Sequence, residues 1–435
     1  MPAVDGGGTA LLTDHYELTM LQAALADGAG ERRSVFEVFA RRLPDGRRYG
    51  VVGGTGRLLT DIERFRFDDD VLADLEGRRV VDSPTLRWLS DYRFTGDVWG
   101  YGEGECFFPY SPLLVVEATF SQAVVLETLI LSVLNFDSAV ASAASRMTAA
   151  AGDRPCVEMG SRRTHEWAAV AAARAAYVAG FASTSNLEAG RTYGVPTQGT
   201  SAHSFVLLHD SERDAFTAQV DSLGKGTTLL VDTYDVREAV ALGVEIAGPQ
   251  LQAVRLDSGD LLVQAREVRA QLDELGASNT RIIVTSDLDE HAIAALAAAP
   301  VDAYGVGTSL VTGSGAPTAA LVYKLVAREG RDGVMAAVAK KSKDKVSVGG
   351  RKYAMRRRTP DGVAEAEVIG LAAPPDDGND RPLLVPLVRE GEMVGHEPLA
   401  VARERHAMSR AELPPTALQM SRGEPAIPTV YEGES

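Results

Sequence analysis

Three short stretches of this chain gather the residue types that bind and transform small anions. In GTSAHS, Gly199 to Ser204, a glycine–threonine pair offers amides and a hydroxyl to an oxyanion, and His203 can act as nucleophile, base or phosphate donor. Spacing alone does not choose among these roles, and for an isolated loop histidine a structural role is favoured by roughly two to one. In VRLDSGDLL, Arg255 leaves an apolar run just before Asp257. Its planar guanidinium can grip a carboxylate or phosphate through two hydrogen bonds, while Asp257 can accept ribose hydroxyls or help organise a hydrated magnesium ion. The plainer reading is an Arg–Asp structural pair followed by a helix cap, and it suits Asp260 better than Arg255. In YGVGTSLVTGSG, Tyr304 to Gly315, the residues Gly305, Gly307, Thr308 and Ser309 supply the amides and hydroxyls of a phosphate cradle, although glycine-rich turns are common.

The cations are unevenly placed. Arg162 and Arg163 follow the apolar run PCVEM, and of seven lysines five, Lys340, Lys341, Lys343, Lys345 and Lys352, fall in AKKSKDKVSVGGRKYAMRRR, Ala339 to Arg358. Alone, that run reads as a solvated basic turn; beside a phosphate cradle it becomes a candidate polyphosphate wall. No GxxxxGK[ST], HExxH, CxxC or nucleophile-elbow pattern occurs, and YGVVGGTGRLL does not fit GxGxxG. A P-loop, Rossmann, zinc-hydrolase or serine-esterase reading therefore has no support, and no protein-built metal site is expected.

Against these local cations stands a net charge of −16 with a pI near 5.0, which argues against nucleic acid and anionic membranes as partners. At 45% hydrophobic and 24% charged, the composition is that of a globular protein with large cores. Two cysteines, Cys106 and Cys156, are too few for a disulfide framework and fit a reducing, cytoplasmic setting. The N-terminus lacks the basic start and apolar run of a signal peptide, and charges interrupt the most apolar stretches, so no membrane span is expected.

The elements that must position these residues follow from hydrophobic patterning. Residues 12–25 read as an amphipathic helix opened by Thr13 or Asp14, and SVFEVFA, 34–40, as a half-buried strand. Residues 1–120 thus form an α+β unit. From 121 to 345 apolar runs alternate with helical segments: PCVEM, GVPTQG, TTLLVD, QAVRLD, RIIVTSD and VDAYGVGT. Short, nearly continuous apolar runs separated by helices predict parallel strands buried on both faces. Polar and charged residues gather just after these runs, which favours a barrel with its chemistry at the strand C-termini over an open doubly wound sheet. Residues 346–435, with short β-like runs such as PLLVPLVRE, are expected to pack on the N-terminal unit or form a tail.

Taken in order, LLTDHYELTM, SVFEVFARRLP, RRTHE to FASTSN, YGVPTQGTSAHSFV, LLVDTYDV, AVRLDSGDLL, DAYGVGTSLVT and LVYKLVA resemble the nicotinate phosphoribosyltransferases. The resemblance covers most of the chain and weakens after about Met355. It implies a type II phosphoribosyltransferase fold of class α/β, an irregular α/β barrel with a smaller α+β domain from the N- and C-terminal segments. It also implies a homodimer with interfacial active sites. The implied reaction joins nicotinate to 5-phosphoribosyl 1-pyrophosphate (PRPP), with Mg²⁺ and coupled ATP hydrolysis. Residue by residue, Tyr16 and Thr200 would contact nicotinate, His203 would be phosphorylated by ATP, Arg255 would hold the nicotinate carboxylate, and Thr308 would bind PRPP. Arg162, Arg163, Asp257 and Gly307 extend that set to the ribose and phosphates. Rival readings are a nicotinamide or quinolinate phosphoribosyltransferase, a catalytically silent nucleotide-binding homologue, and a barrel lyase using Lys225 or Lys324 as a Schiff base.

Overall fold

A computed structural model of the chain describes residues 8–340 and 348–432, which fall into two compact units: Val140–Pro317, and Met1–Ala139 combined with Thr318–Ser435. The first contains six strands, all paired in parallel, in the order Ser183–Thr184, Cys156–Glu158, Ala303–Val306, Arg281–Val284, Ala253–Leu256, Thr228–Leu230. The sheet curls into a half-barrel with helices between its strands. Both end strands lack a further ladder partner among the described residues, so this is an irregular barrel of class α/β. Five of the six apolar runs are strands where expected. GVPTQG is not one: the edge position goes to Ser183–Thr184, and Thr197 makes only a single bridge to Thr184. Pro196 and two glycines leave that run too few amides and too much backbone freedom for a ladder.

The helices of this unit begin where short polar side chains meet free amides. Asp235 accepts from the Glu238 amide at 2.9 Å, Asp260 from that of Val263 at 3.2 Å, and Asp289 from that of Ala292 at 2.7 Å. Each such cap stands a few residues after a strand end, so it fixes where the intervening loop must turn.

The other unit is mainly antiparallel, with one parallel pair between Ala364–Gly370 and Thr429–Tyr431. Its seven-stranded sheet runs Met335–Ala337, Leu321–Glu329, Arg33–Ala40, Leu114–Thr119, Asp97–Tyr101, Leu384–Arg389, Glu392–Met393. Strand Arg33–Ala40 departs from the expected half-exposed alternation, being buried from Ser34 to Ala40. Its one carboxylate, Glu37, is tolerated there because Lys352 Nζ donates to it at 2.8 Å. The helix expected at 12–25 spans His15–Ala26, with Asp14 at its cap position but making no cap bond; Thr13 instead donates to Glu17. The helical stretch Phe120–Ala151 is long and apolar enough to cross a bilayer, but 67% of its apolar window is buried inside the protein, as in a core helix.

The basic run corrects one expectation at two of its residues. Lys352 and Arg356 are buried structural cations, not a polyphosphate wall; Lys340 is exposed, and Lys341, Lys343 and Lys345 lie outside the described residues. Arg356 sits among Glu367 at 2.6 Å and Glu105 and Glu412 at 3.6 Å, and it also donates to the Cys106 carbonyl at 2.8 Å. Arg381 bridges Glu105 and Glu412 at 2.8 and 2.7 Å. Such a network ties strand Tyr353–Arg358 to Ala364–Gly370 and to the end of helix Leu399–Ala411. Removing one member strands its counter-charges away from water. Arg356→Met is therefore expected to destabilise the protein by about 3–5 kcal/mol in denaturant unfolding, and a loss under 1 kcal/mol would contradict this account.

Candidate active site

Every strand of the half-barrel ends in, or is followed within two residues by, a residue that can hold an anion, a hydroxyl or a proton. A cavity of about 290 Å³ opens at these ends, lined among others by Arg162, Arg163, Arg255, Asp257, Asp287 and Thr308. Parallel strands place all their C-termini on one side, so residues far apart in sequence converge without any loop reaching across.

Arg255 sits on the strand Ala253–Leu256 and donates through Nη1 to Thr200 Oγ1. Burial is the main influence lowering its pKa, with Arg162 adding to it and Asp257 and Asp232 opposing it. An arginine does not give up its proton in a protein, so that tension is an appetite for negative charge. Its Nε is buried with no acceptor, an orphan that a ligand oxygen would satisfy.

On the same side, His203 opens the short helix His203–Leu208. Its Nδ1 lies 3.1 Å from Thr233 Oγ1, and its Nε2 lies 3.8 Å from Asp257 and 3.9 Å from Asp232. Asp232 holds the neighbouring loop, accepting from the Asp257 amide at 3.0 Å and Ser258 Oγ at 2.6 Å. Its other oxygen is buried and unpartnered. Asp257 in turn accepts from Thr285 Oγ1. Opposite, Gly307 and Thr308 begin the one-turn helix Thr308–Val311, and both line the cavity.

The structure thus brings together Thr200, His203, Arg255, Asp257, Arg162, Arg163, Gly307 and Thr308. Tyr16 belongs to the other unit, on helix His15–Ala26. Its phenol is pushed up to about 12, first by partial burial and then by Glu127 and Glu17, so it stays a neutral hydrogen-bonding group at physiological pH. Sequence reasoning passed over Thr233 and Thr285, which contact His203 and Asp257, and gave Asp232 no role; each stands within three residues of a strand end, and that position was the available signal. Ser286, at the cavity lip, holds a φ of 133°, a strained conformation for a residue with a side chain and the kind that gathers at functional sites.

Two carboxylates test whether Mg²⁺ suits the site. Asp232 has an unsatisfied buried oxygen and Asp257 faces the cavity. One or two carboxylates suit an ion that keeps its waters and arrives with phosphates, which is how magnesium is usually held. The described cluster with three convergent carboxylates, Asp376, Asp377 and Asp380, lies in the other unit.

Three arginines around a small polar cavity predict anion binding without a second substrate. Saturating pyrophosphate, at about a hundred times its dissociation constant, should stabilise the protein by about 2.7 kcal/mol. Replacing both Arg162 and Arg163 by Ala should abolish the shift in thermal unfolding; an unchanged shift would place the anion elsewhere.

Residues 11–135 match the model of the nicotinate phosphoribosyltransferase (NAPRTase) N-terminal domain. The chain is 56% identical to nicotinate phosphoribosyltransferase pncB1 of Mycobacterium tuberculosis, over 96% of this chain and 94% of that protein. It is 37% identical to the nicotinate phosphoribosyltransferase of Bacillus subtilis, over 80% of this chain and 72% of the other. Among solved structures, human nicotinic acid phosphoribosyltransferase superposes with a TM-score of 0.82 at 25% identity, covering 97% of this chain and 98% of that one. The chain belongs to the nicotinate phosphoribosyltransferase family.

Proposed function

We propose that this enzyme transfers the phosphoribosyl group of PRPP to the ring nitrogen of nicotinate, giving nicotinate mononucleotide and pyrophosphate with coupled ATP hydrolysis, the first step of NAD synthesis from nicotinate. The observation that carries the reading is Arg255, a desolvated cation lacking one acceptor and joined to Thr200. Its fork matches a single carboxylate, and Thr200 offers a hydroxyl beside it. Tyr16 would add a neutral hydroxyl from its own unit.

As the pyridine nitrogen attacks C1, the bond from C1 to pyrophosphate breaks, the ribose becomes cationic and the leaving group gains negative charge. Fixed cations and amides aimed at that leaving group lower the barrier most, because they need no reorganisation as charge develops. Arg162, Arg163 and the amides at Gly307 and Thr308 take this role, and Asp257 receives the ribose hydroxyls. Mg²⁺ bound with the polyphosphate would be held by Asp257 with Asp232 behind it, and would neutralise phosphate charge. ATP phosphorylates His203, adding about −1.5 to −2 charges beside Asp257 and Asp232. Repulsion from those carboxylates stores part of the ATP energy until the phosphoryl group is released to water.

In the barrel unit Leu187, Leu208 and Tyr234 are 77%, 78% and 62% exposed, apolar surface whose burial would favour a homodimer, with the active sites at its interface as part of this proposal. A solution mass of two 46.2 kDa chains is what this requires. Both cysteines are free and buried, with thiols pushed up to about 12 by burial, which suits a cytoplasmic enzyme.

Product detection with and without ATP tests the reaction and its coupling together. His203→Asn should retain slow ATP-independent formation of nicotinate mononucleotide and lose nicotinate-dependent ATP hydrolysis. Hydrolysis that survives the substitution would remove His203 from the phosphoryl path.

A further inference from the structure

Glu158 ends the strand Cys156–Glu158 and is fully buried, yet it contacts none of the groups proposed to touch substrate. Its carboxylate accepts from the Gly160 amide with one oxygen and from Thr184 Oγ1 with the other. The Thr184 hydroxyl also accepts from the Asn186 amide at 2.9 Å, so its own proton is committed to Glu158. Asn186 Nδ2 then donates to Ser161 Oγ at 2.9 Å, which returns the chain of bonds to the residue before Arg162. Backbone bonds run alongside: the Ser185 amide donates to the Glu158 carbonyl at 2.9 Å, and the Arg163 amide to the Gly160 carbonyl at 2.8 Å.

The same loop presses on the phosphate cradle. A Cβ placed on Gly160 would overlap Val311 Cγ1 and come within 3.1 Å of the Gly307 carbonyl, so the loop has no room to shift toward Thr308. The Met159 amide donates to the Val306 carbonyl at 2.8 Å, fixing it from the strand side. Three strand ends, carrying the arginine pair, Ser185 with Asn186, and Gly307 with Thr308, are therefore indexed to one another. A buried group offered two donors and no cation holds them.

We propose that Glu158 is a positioning residue for the phosphoribosyl donor, setting Arg162 and Arg163 in register with the Gly307–Thr308 cradle through its paired bonds to Gly160 and Thr184. The proposal rests on the reading of Arg162, Arg163 and Thr308 as phosphate contacts. Fixed groups lose catalytic effect steeply with small displacements, so loosening this clip should fall on PRPP. Nicotinate is held by Thr200 and Arg255; Thr184 meets the segment before Thr200 only through backbone bonds to Pro196 and Gln198, which substitutions of the two side chains leave in place.

Steady-state kinetics on the full-length enzyme, with thermal unfolding in parallel, test this. Glu158→Gln replaces one of two accepting oxygens by an NH2, which must face either the Gly160 amide or the Thr184 hydroxyl and so leaves one of those protons without its acceptor, and Thr184→Val removes the hydroxyl while keeping its volume. Both should raise the KM for PRPP about tenfold or more, leaving the KM for nicotinate within about twofold of wild type. Thr184→Ser, which keeps the hydroxyl, should restore the wild-type PRPP value, and if Glu158→Gln does not fold, the Thr184 pair decides alone. A wild-type KM for PRPP in Thr184→Val, or an equal rise for both substrates, overturns the positioning role. Arg162→Ala serves as the control. If it leaves the KM for PRPP unchanged, the phosphate reading fails and takes this proposal with it; if it raises that KM while Thr184→Val does not, only the positioning role falls.

Discussion

A guanidinium held largely out of water, with one N–H given no acceptor and a second arginine nearby, is the constraint around which the barrel mouth is arranged. Arg255 cannot shed its proton, and Asp257 and Asp232 offset only part of the cost of keeping its charge there. An entering anion would give the orphan Nε its acceptor. Placing Arg255 on a strand rather than a loop makes its position as rigid as the sheet, and the hydrogen bond to Thr200 Oγ1 aims it.

The rest of the site distributes charge around that point. Asp232 accepts from both the Asp257 amide and Ser258, so the turn carrying Asp257 is held by the strand beside it, and His203 sits where a phosphoryl group would face both carboxylates. On the other side the arginine pair and the Gly307–Thr308 turn supply positive potential. A chain of net charge −16 can thus serve anionic substrates because one cation at the barrel mouth, Arg255, is partly desolvated on its strand, and the exposed Arg162 and Arg163 line the same cavity. Elsewhere many of them are spent on structure. Lys352 and Arg356 are buried in ion pairs, and they hold the antiparallel unit together.

Much of the site was legible from the sequence because a parallel strand announces itself as a short apolar run and its chemistry sits in its last residues and just after them. That rule places Arg255, Asp257, Gly307 and Thr308 without any three-dimensional information. It fails for Ser183–Thr184, a strand of two residues and too short to show a pattern, and hence for the clip that Thr184 forms with Glu158. It fails also for the lysine-rich run, since local sequence cannot reveal that Glu37 lies across from Lys352 or that Glu367, Glu105 and Glu412 surround Arg356. Long-range ion pairing turns a surface-like composition into a core. The half-buried alternation expected for SVFEVFA fails for the same reason, because a second covering layer cannot be read from one strand.

Arg255 is proposed to read one carboxylate on a pyridine ring at the barrel mouth. A competition assay with PRPP, ATP and equal concentrations of nicotinate, nicotinamide and quinolinate, read by identifying the mononucleotides formed, tests it most directly. Nicotinate mononucleotide should be the dominant product, and Arg255→Leu should erase the preference. Equal use of nicotinamide by the wild-type enzyme, or a preference that survives the loss of Arg255, would contradict the account.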